Sequence, residues 1–188
     1  SQGLLSDYKV VVLAVDEEFV SRSLQKQLTD SNNELTLDDA VKIVGCMNGL
    51  AKKTHFPGEE NYFSNDPQPM RRAVAFTQTI EQSKKFVAMF EEIQALYKIN
   101  TNDGRNHTVE LKHVDGSFNA LERKNRIEWL KQDTGEDSCR VLSNARCLSE
   151  GVDVPALDAV MFLNPRKYIV DIIQSVGRVM RKSEGKQY

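Results

Sequence analysis

Five short, predominantly apolar runs punctuate the chain at residues 10–15, 73–76, 109–114, 139–142 and 159–163. Runs of this kind, separated by helix-patterned stretches, predict strands of a parallel sheet covered on both faces. The intervening stretches carry helix start signals. Thr36-Leu-Asp-Asp39 reads as a capping box opening a helix over 37–50, and Thr79-Ile-Glu-Gln82 reads as a second. After it, Phe86, Val87, Phe90, Ile93, Leu96 and Tyr97 recur at the helical period and predict one buried face. Asn119 is placed to cap a helix through Leu130 with inner residues Leu121, Ile127 and Leu130, and a last helix is expected over about 169–180. Strand and helix in alternation predict an α/β class, a doubly wound parallel sheet.

Two stretches read as loops. Residues 55–69 concentrate Pro, Gly, Asn and Asp, which divides the chain into an entry segment over 1–69, with a strand and a helical part, and a main unit over 70–188. Residues 99–107 form a polar excursion before the next strand. Residues 182–188 carry no stop signal, so the chain reads as cut from something longer. With 25 Lys and Arg against 27 Asp and Glu, the net charge is −2. That excludes a uniformly basic coat but leaves room for a local groove for nucleic acid. No apolar run approaches the roughly 18 residues of a membrane span, and the first residues lack the basic start of a signal peptide. Cys46, Cys139 and Cys147 are an odd set without CxxC spacing, so no zinc site, other metal site or disulfide framework is expected. A cytoplasmic setting follows as the default.

Several motifs point to chemistry. The strand ending in Asp16-Glu17-Glu18 has the look of a Mg²⁺-binding carboxylate pair, but no GxxxxGK[ST] phosphate loop precedes it. In Gly45-Cys-Met-Asn-Gly49-Leu-Ala-Lys52 the lysine is out of place for such a loop. Carboxylates favouring the next helix N-terminus explain residues 16–18. Thr77 and Gln78 end a strand just before a capped helix, at the sheet edge where α/β proteins bind ligands. Asp115-Gly116-Ser117 ends another strand in a polar turn, preceded by His113, which has no Ser or Cys partner legible in the sequence and reads as structural. Ser143-Asn144-Ala145 ends a third strand, and Gly151 and Asp153 follow in its loop. A glycine there permits close backbone approach to a ligand, and the carboxylate can accept ribose hydroxyls. Gln174, Arg178 and Arg181 share one helix face beside Gly177, an arrangement suited to an anionic, phosphate-like ligand.

Taken together, these motifs resemble the C-terminal RecA-like domain of superfamily 2 helicases and translocases. Gln174-xx-Gly177-Arg178-xx-Arg181 matches that superfamily's motif VI, and Ser143-Asn-Ala through Pro155 matches motif V. Residues 73–77 look like motif IV, and Val114-Asp115-Gly116 like the motif after it, in order across residues 70–182. The Asp-Gly turn and the Gln-led motif VI look closest to the DNA-translocating parts of bacterial restriction enzymes. The resemblance implies that ATP and Mg²⁺ bind between this domain and an N-terminal RecA-like domain of the same chain. It implies arginine fingers at Arg178 and Arg181, γ-phosphate sensing by Gln174 beside Gly177, and a place near the ribose and metal for Gly151 and Asp153. Thr77, Gln78, Asp115, Gly116, Ser117, Ser143, Asn144 and Ala145 would lie along one nucleic-acid strand, with DNA favoured. Without Walker A and B motifs, this stretch by itself is expected neither to hold nor to hydrolyse ATP. The competing expectation is a binding or scaffold domain of helicase-like fold that performs no hydrolysis.

Overall fold

The computed structural model describes residues 37–53, 63, 66–97, 99–100, 106–145 and 157–163. The strand expected over 10–15, the carboxylates 16–18, Thr36 and the helix expected over 169–180 lie outside the described residues. Within them the order is α1 (Leu37–Leu50), β1 (Arg72–Thr77), α2 (Ile80–Leu96), β2 (Ile99–Asn100), β3 (Asn106–Asp115), α3 (Ala120–Lys131), β4 (Ser138–Ala145) and β5 (Ala159–Phe162). The sheet order is β2-β3-β4-β1-β5. The pairs β3–β4, β4–β1 and β1–β5 are parallel, and only the two-residue β2 runs antiparallel, against the start of β3. The polar excursion before β3 thus contains a short strand pair, with His107 buried at its inner end.

Side-chain alternation explains why helices cover both faces. On one face Ala73 and Ala75 of β1, Val109 and Leu111 of β3, and Cys139 and Val141 of β4 pack against α1 and α2. On the other, Val74, Phe76, Val114 and Leu142 pack with Trp129 and Leu130 of α3. Phe90 and Ile93 of α2 are wholly buried in the first of these layers. Truncating a buried phenylalanine of this kind costs about 3–5 kcal/mol. α1, which the sequence places in the entry segment, shares this core. Its Ala40, Val44, Met47 and Leu50 are buried, the Met70 N–H donates to Leu50 O at 2.9 Å, and Lys85 Nζ lies 3.6 Å from Asp39 Oδ2. Gly45 and Gly49 lie inside α1, so that stretch forms no phosphate loop.

Two helix faces differ from expectation. Leu121 is 67% exposed, and the inner face of α3 is Trp129 and Leu130 with Ile127 partly buried. The reason is angular: nine residues at about 100° each put Leu121 opposite Leu130. In α2, Leu96 at the last turn is exposed, and Ser83 and Met89 join the buried set. Of the expected caps, Thr79 and Asn119 lie among the described residues and both accept the N3 backbone N–H. Asn119 and Glu122 make a full capping box, with both bonds at 2.9 Å.

The amino ends of the strands are tied by charged side chains acting on backbone. Asp158 Oδ2 accepts from the N–H groups of Arg71 and Arg72 at 2.8 and 2.9 Å. Arg72 Nε donates to Leu130 O at 3.1 Å and Arg140 Nη1 to Trp129 O at 2.7 Å. Two guanidiniums from adjacent strands therefore satisfy the open carbonyls at the C-terminus of α3.

Candidate functional site

Parallel pairing places three distant segments side by side at the carboxyl edge. Thr77 pairs with Ala145, and Ala145 with Asp115. One step back, Phe76, Asn144 and Val114 form the next row, and Ala75, Ser143 and His113 the one behind it. The strand ends singled out by sequence are thus neighbours in one row. The α2 N-terminus opens beside them. Thr79 Oγ1 accepts from Gln82 N at 3.1 Å, and Gln82 Oε1 accepts from Gln78 N at 3.2 Å. This is the capping box displaced by one residue on its return bond.

Behind this row runs a chain of buried polar side chains. His113 Nε2 lies 2.7 Å from Asp115 Oδ2, and His113 Nδ1 lies 2.7 Å from Ser83 Oγ. Ser83 Oγ lies 2.6 Å from Ser143 Oγ. Asp115, Ser83 and Ser143 are each 0% exposed. The other carboxylate oxygen, Asp115 Oδ1, accepts from Ser117 N at 2.7 Å and from the Ser117 hydroxyl. Burial opposes ionisation of Asp115. The hydrogen bonds from the Ser117 hydroxyl, His113 and the Ser117 N–H outweigh it and hold the carboxyl down at about 2. An ionised carboxylate only accepts, so His113 donates from Nε2, and in its neutral form accepts at Nδ1 from Ser83. Ser83 Oγ then accepts from Ser143. The serine partner that the sequence did not offer His113 is therefore Ser83, 30 residues upstream on α2. It sits three residues before Phe86 and seven before Phe90, on the buried face, where a lone hydroxyl requires a partner. Its full burial denies it a nucleophile's access to substrate.

The predicted edge residues divide by exposure. Gln78, Gly116 and Ser117 face outward, whereas Thr77, Asp115, Ser143, Asn144 and Ala145 are buried. The Thr77 hydroxyl donates inward to Thr79 O at 3.1 Å, with Asn144 O at 3.3 Å. Gly116 has no positive φ, and an added Cβ would meet nothing within 4 Å, so the fold itself does not require glycine there. Gly151, Asp153, Gln174, Gly177, Arg178 and Arg181 lie outside the described residues. Among the described residues no cluster of three His, Cys, Asp or Glu side chains could hold a metal ion, and no helix is long and apolar enough to cross a membrane. Burial pushes the Cys46 thiol up to about 12 and raises that of Cys139 too, so both are inert packing residues.

Known proteins are similar to parts or nearly all of this chain. Over 112 residues the chain is 29% identical to IRC3, a candidate ATP-dependent helicase of Saccharomyces cerevisiae, covering 57% of this chain and 15% of that protein. Over 74 residues it is 38% identical to candidate helicase 22 of a Sulfolobus islandicus filamentous virus, covering 39% of this chain and 12% of that one. The solved structure of the ATP-dependent Type ISP restriction-modification enzyme LlaBIII bound to DNA matches with a TM-score of 0.80 and 43% identity, over 98% of this chain and 12% of that enzyme. The chain thus spans 12–15% of the length of these proteins. Residues 60–183 match the helicase conserved C-terminal domain. A parallel sheet wound on both faces, strand ends from motif IV, the Asp-Gly turn and motif V in one row, and this match along most of the chain have one reading: it belongs to the helicase C-terminal domain family, as a RecA-like domain of superfamily 2.

Proposed function

We propose that this chain is the second motor domain of an ATP-dependent DNA helicase or translocase. The observation that carries the reading is the row Thr77–Ala145–Asp115, which gathers three loop ends and a helix N-terminus at one edge of a helicase-family fold. Polar strand ends and a helix N-terminus can grip a phosphate backbone without reading sequence. In this reading Gln78, Gly116 and Ser117 touch the strand, and Thr77, Asp115, Ser143, Asn144 and Ala145 hold them from behind. Gly116, which the fold does not need, leaves open space for the strand's backbone to approach. DNA is favoured because the neighbour LlaBIII was solved bound to DNA.

On the same reading ATP and its Mg²⁺ lie in a cleft shared with an N-terminal RecA-like domain. Gly151 and Asp153 stand beside the ribose and metal, and Gln174, Gly177, Arg178 and Arg181 line the γ-phosphate side. An arginine delivered to developing charge is worth about 10³–10⁵ in rate, and closing and opening of the cleft would ratchet the strand. The test uses the intact protein. Arg181→Ala should lower kcat for DNA-stimulated ATP hydrolysis by about 10²–10³ with a smaller effect on nucleotide affinity, because the contact belongs to the transition state. Arg181→Lys should not restore it, since an ammonium lacks the planar fork. An intact protein that binds DNA but shows no hydrolysis for Arg181 to support would instead favour a non-hydrolysing scaffold domain.

A further inference from the structure

We propose that Ser83 and His113 are positioning residues for the DNA strand, a buried link that sets the geometry of the Asp115–Ser117 turn from the start of α2 and the end of β4. The inference rests on the reading of the carboxyl edge as the strand interface. Neither residue is offered as a contact: Ser83 is fully buried, and the His113 ring is held from several sides. Asp115 Oδ2 sits on His113 Nε2, while Oδ1 receives the Ser117 N–H and hydroxyl. The orientation of one carboxylate therefore sets where the exposed Ser117 points, and His113 sets that orientation. His113 is aligned in turn by Ser83 on Nδ1 at 2.7 Å and by the edge-on ring of Phe118, with centroids 5.8 Å apart. Ser83 is itself fixed twice. Its N–H donates to Thr79 O at 3.1 Å within the α2 N-terminus, and its hydroxyl meets Ser143 of β4 at 2.6 Å. The start of α2 and the ends of β3 and β4, separated by up to 60 residues, are thereby joined through side chains behind the turn.

The physical consequence concerns affinity more than contact. Without the Ser83 hydroxyl, Nδ1 loses its donor, the imidazole gains freedom, and the carboxylate it orients gains freedom with it. The turn then samples several orientations, and DNA must order it on binding. The effect should appear in the DNA concentration required, not in the chemistry of ATP.

The experiment measures DNA-stimulated ATP hydrolysis by the intact protein, with a mixed-sequence duplex carrying a single-stranded tail. Ser83→Ala should raise the half-saturating DNA concentration about three- to tenfold, as expected for one lost internal hydrogen bond. The kcat at saturating DNA should stay within about twofold, because the altered contact is equal in ground and transition states. His113→Gln keeps a donor for Asp115 but drops the bond to Ser83, so it should match Ser83→Ala. The double variant should be no weaker than the worse single one, because both cut the same link. If Ser83→Ala does not fold, His113→Gln alone carries the measurement. Gly116→Ala serves as the control for the interface itself. If Gly116→Ala weakens DNA use and the Ser83 and His113 variants do not, or if their effects simply add, the positioning role is overturned while the interface stands. If none of the three changes the DNA requirement, the interface reading falls, and this inference falls with it.

Discussion

The two edges of the sheet use polar groups in opposite ways. At the amino edge, side chains are bonded to backbone: Asp158 takes two N–H groups, and Arg72 and Arg140 take the carbonyls that end α3. At the carboxyl edge, side chains are bonded mainly to one another, from Asp115 through His113 and Ser83 to Ser143, and the turn beyond them faces outward. Backbone bonds at the amino edge close strand and helix ends and favour stability. The side-chain chain at the carboxyl edge orders a surface without covering it. An edge built for holding the fold and an edge built for presenting groups should respond differently to substitution.

The largest expected effect breaks the amino edge. Asp158→Ala leaves two strand-end N–H groups without their acceptor and should destabilise the domain by about 2–4 kcal/mol. Thermal denaturation reads this, and the DNA requirement of the properly folded fraction should not move. A variant with unchanged melting temperature would remove the distinction between the edges.

Acid titration tests the other side. The Asp115 carboxyl is held at about 2 against an ordinary 3.8. Its folded value is depressed, so its stabilisation is complete above the unfolded value and fades as pH falls from near 4 toward 2. The contribution is on the order of 2 kcal/mol. Urea unfolding across pH 2–6 should show this acid limb, and Asp115→Asn should flatten it while lowering stability at neutral pH. An unchanged limb in the variant would mean that other carboxyls carry it.

A pair of glycines sharpens the contrast further. Gly135, in the turn leading into β4, has φ +76°, so Gly135→Ala should cost about 1 kcal/mol or somewhat more in denaturant melts. Gly116 has ordinary backbone and open space, so Gly116→Ala should change stability by less than about 0.5 kcal/mol. On the proposed reading its effect falls on DNA use alone. The smallest change expected is Glu110→Ala. Glu110 is half exposed, and its partner Arg140 keeps Trp129 O and Gln132 Oε1, so the loss should stay below about 0.5 kcal/mol.

The same two edges show how far sequence could be read. Strands β1, β3, β4 and β5 were legible because parallel strands covered by helices need apolar runs, even half-buried β5, and the Thr79 and Asn119 caps because helix starts need acceptors at fixed spacing. Leu121 was misplaced because counting apolar residues on a short helix ignores the half-turn between positions nine apart. Ser83 went unread because a single hydroxyl on an apolar helix face carries no signal until its partners are known. Asp158 and Arg140 were equally silent, since their partners are backbone atoms of other elements, 87 and 11 residues away, and a backbone atom carries no sequence signal.

Sequence alone determined the α/β alternation, the Thr79 and Asn119 helix caps and the resemblance to the helicase C-terminal family, because each is written within a few consecutive residues or one helical period. Tertiary structure alone decided that Thr77, Ala145 and Asp115 share a row, that only Gln78, Gly116 and Ser117 of the expected edge residues face outward, and that His113 is held by Ser83. The reason is that register between parallel strands, and the depth of a side chain behind them, arise from packing residues 30 to 70 positions apart, and no local pattern encodes that distance.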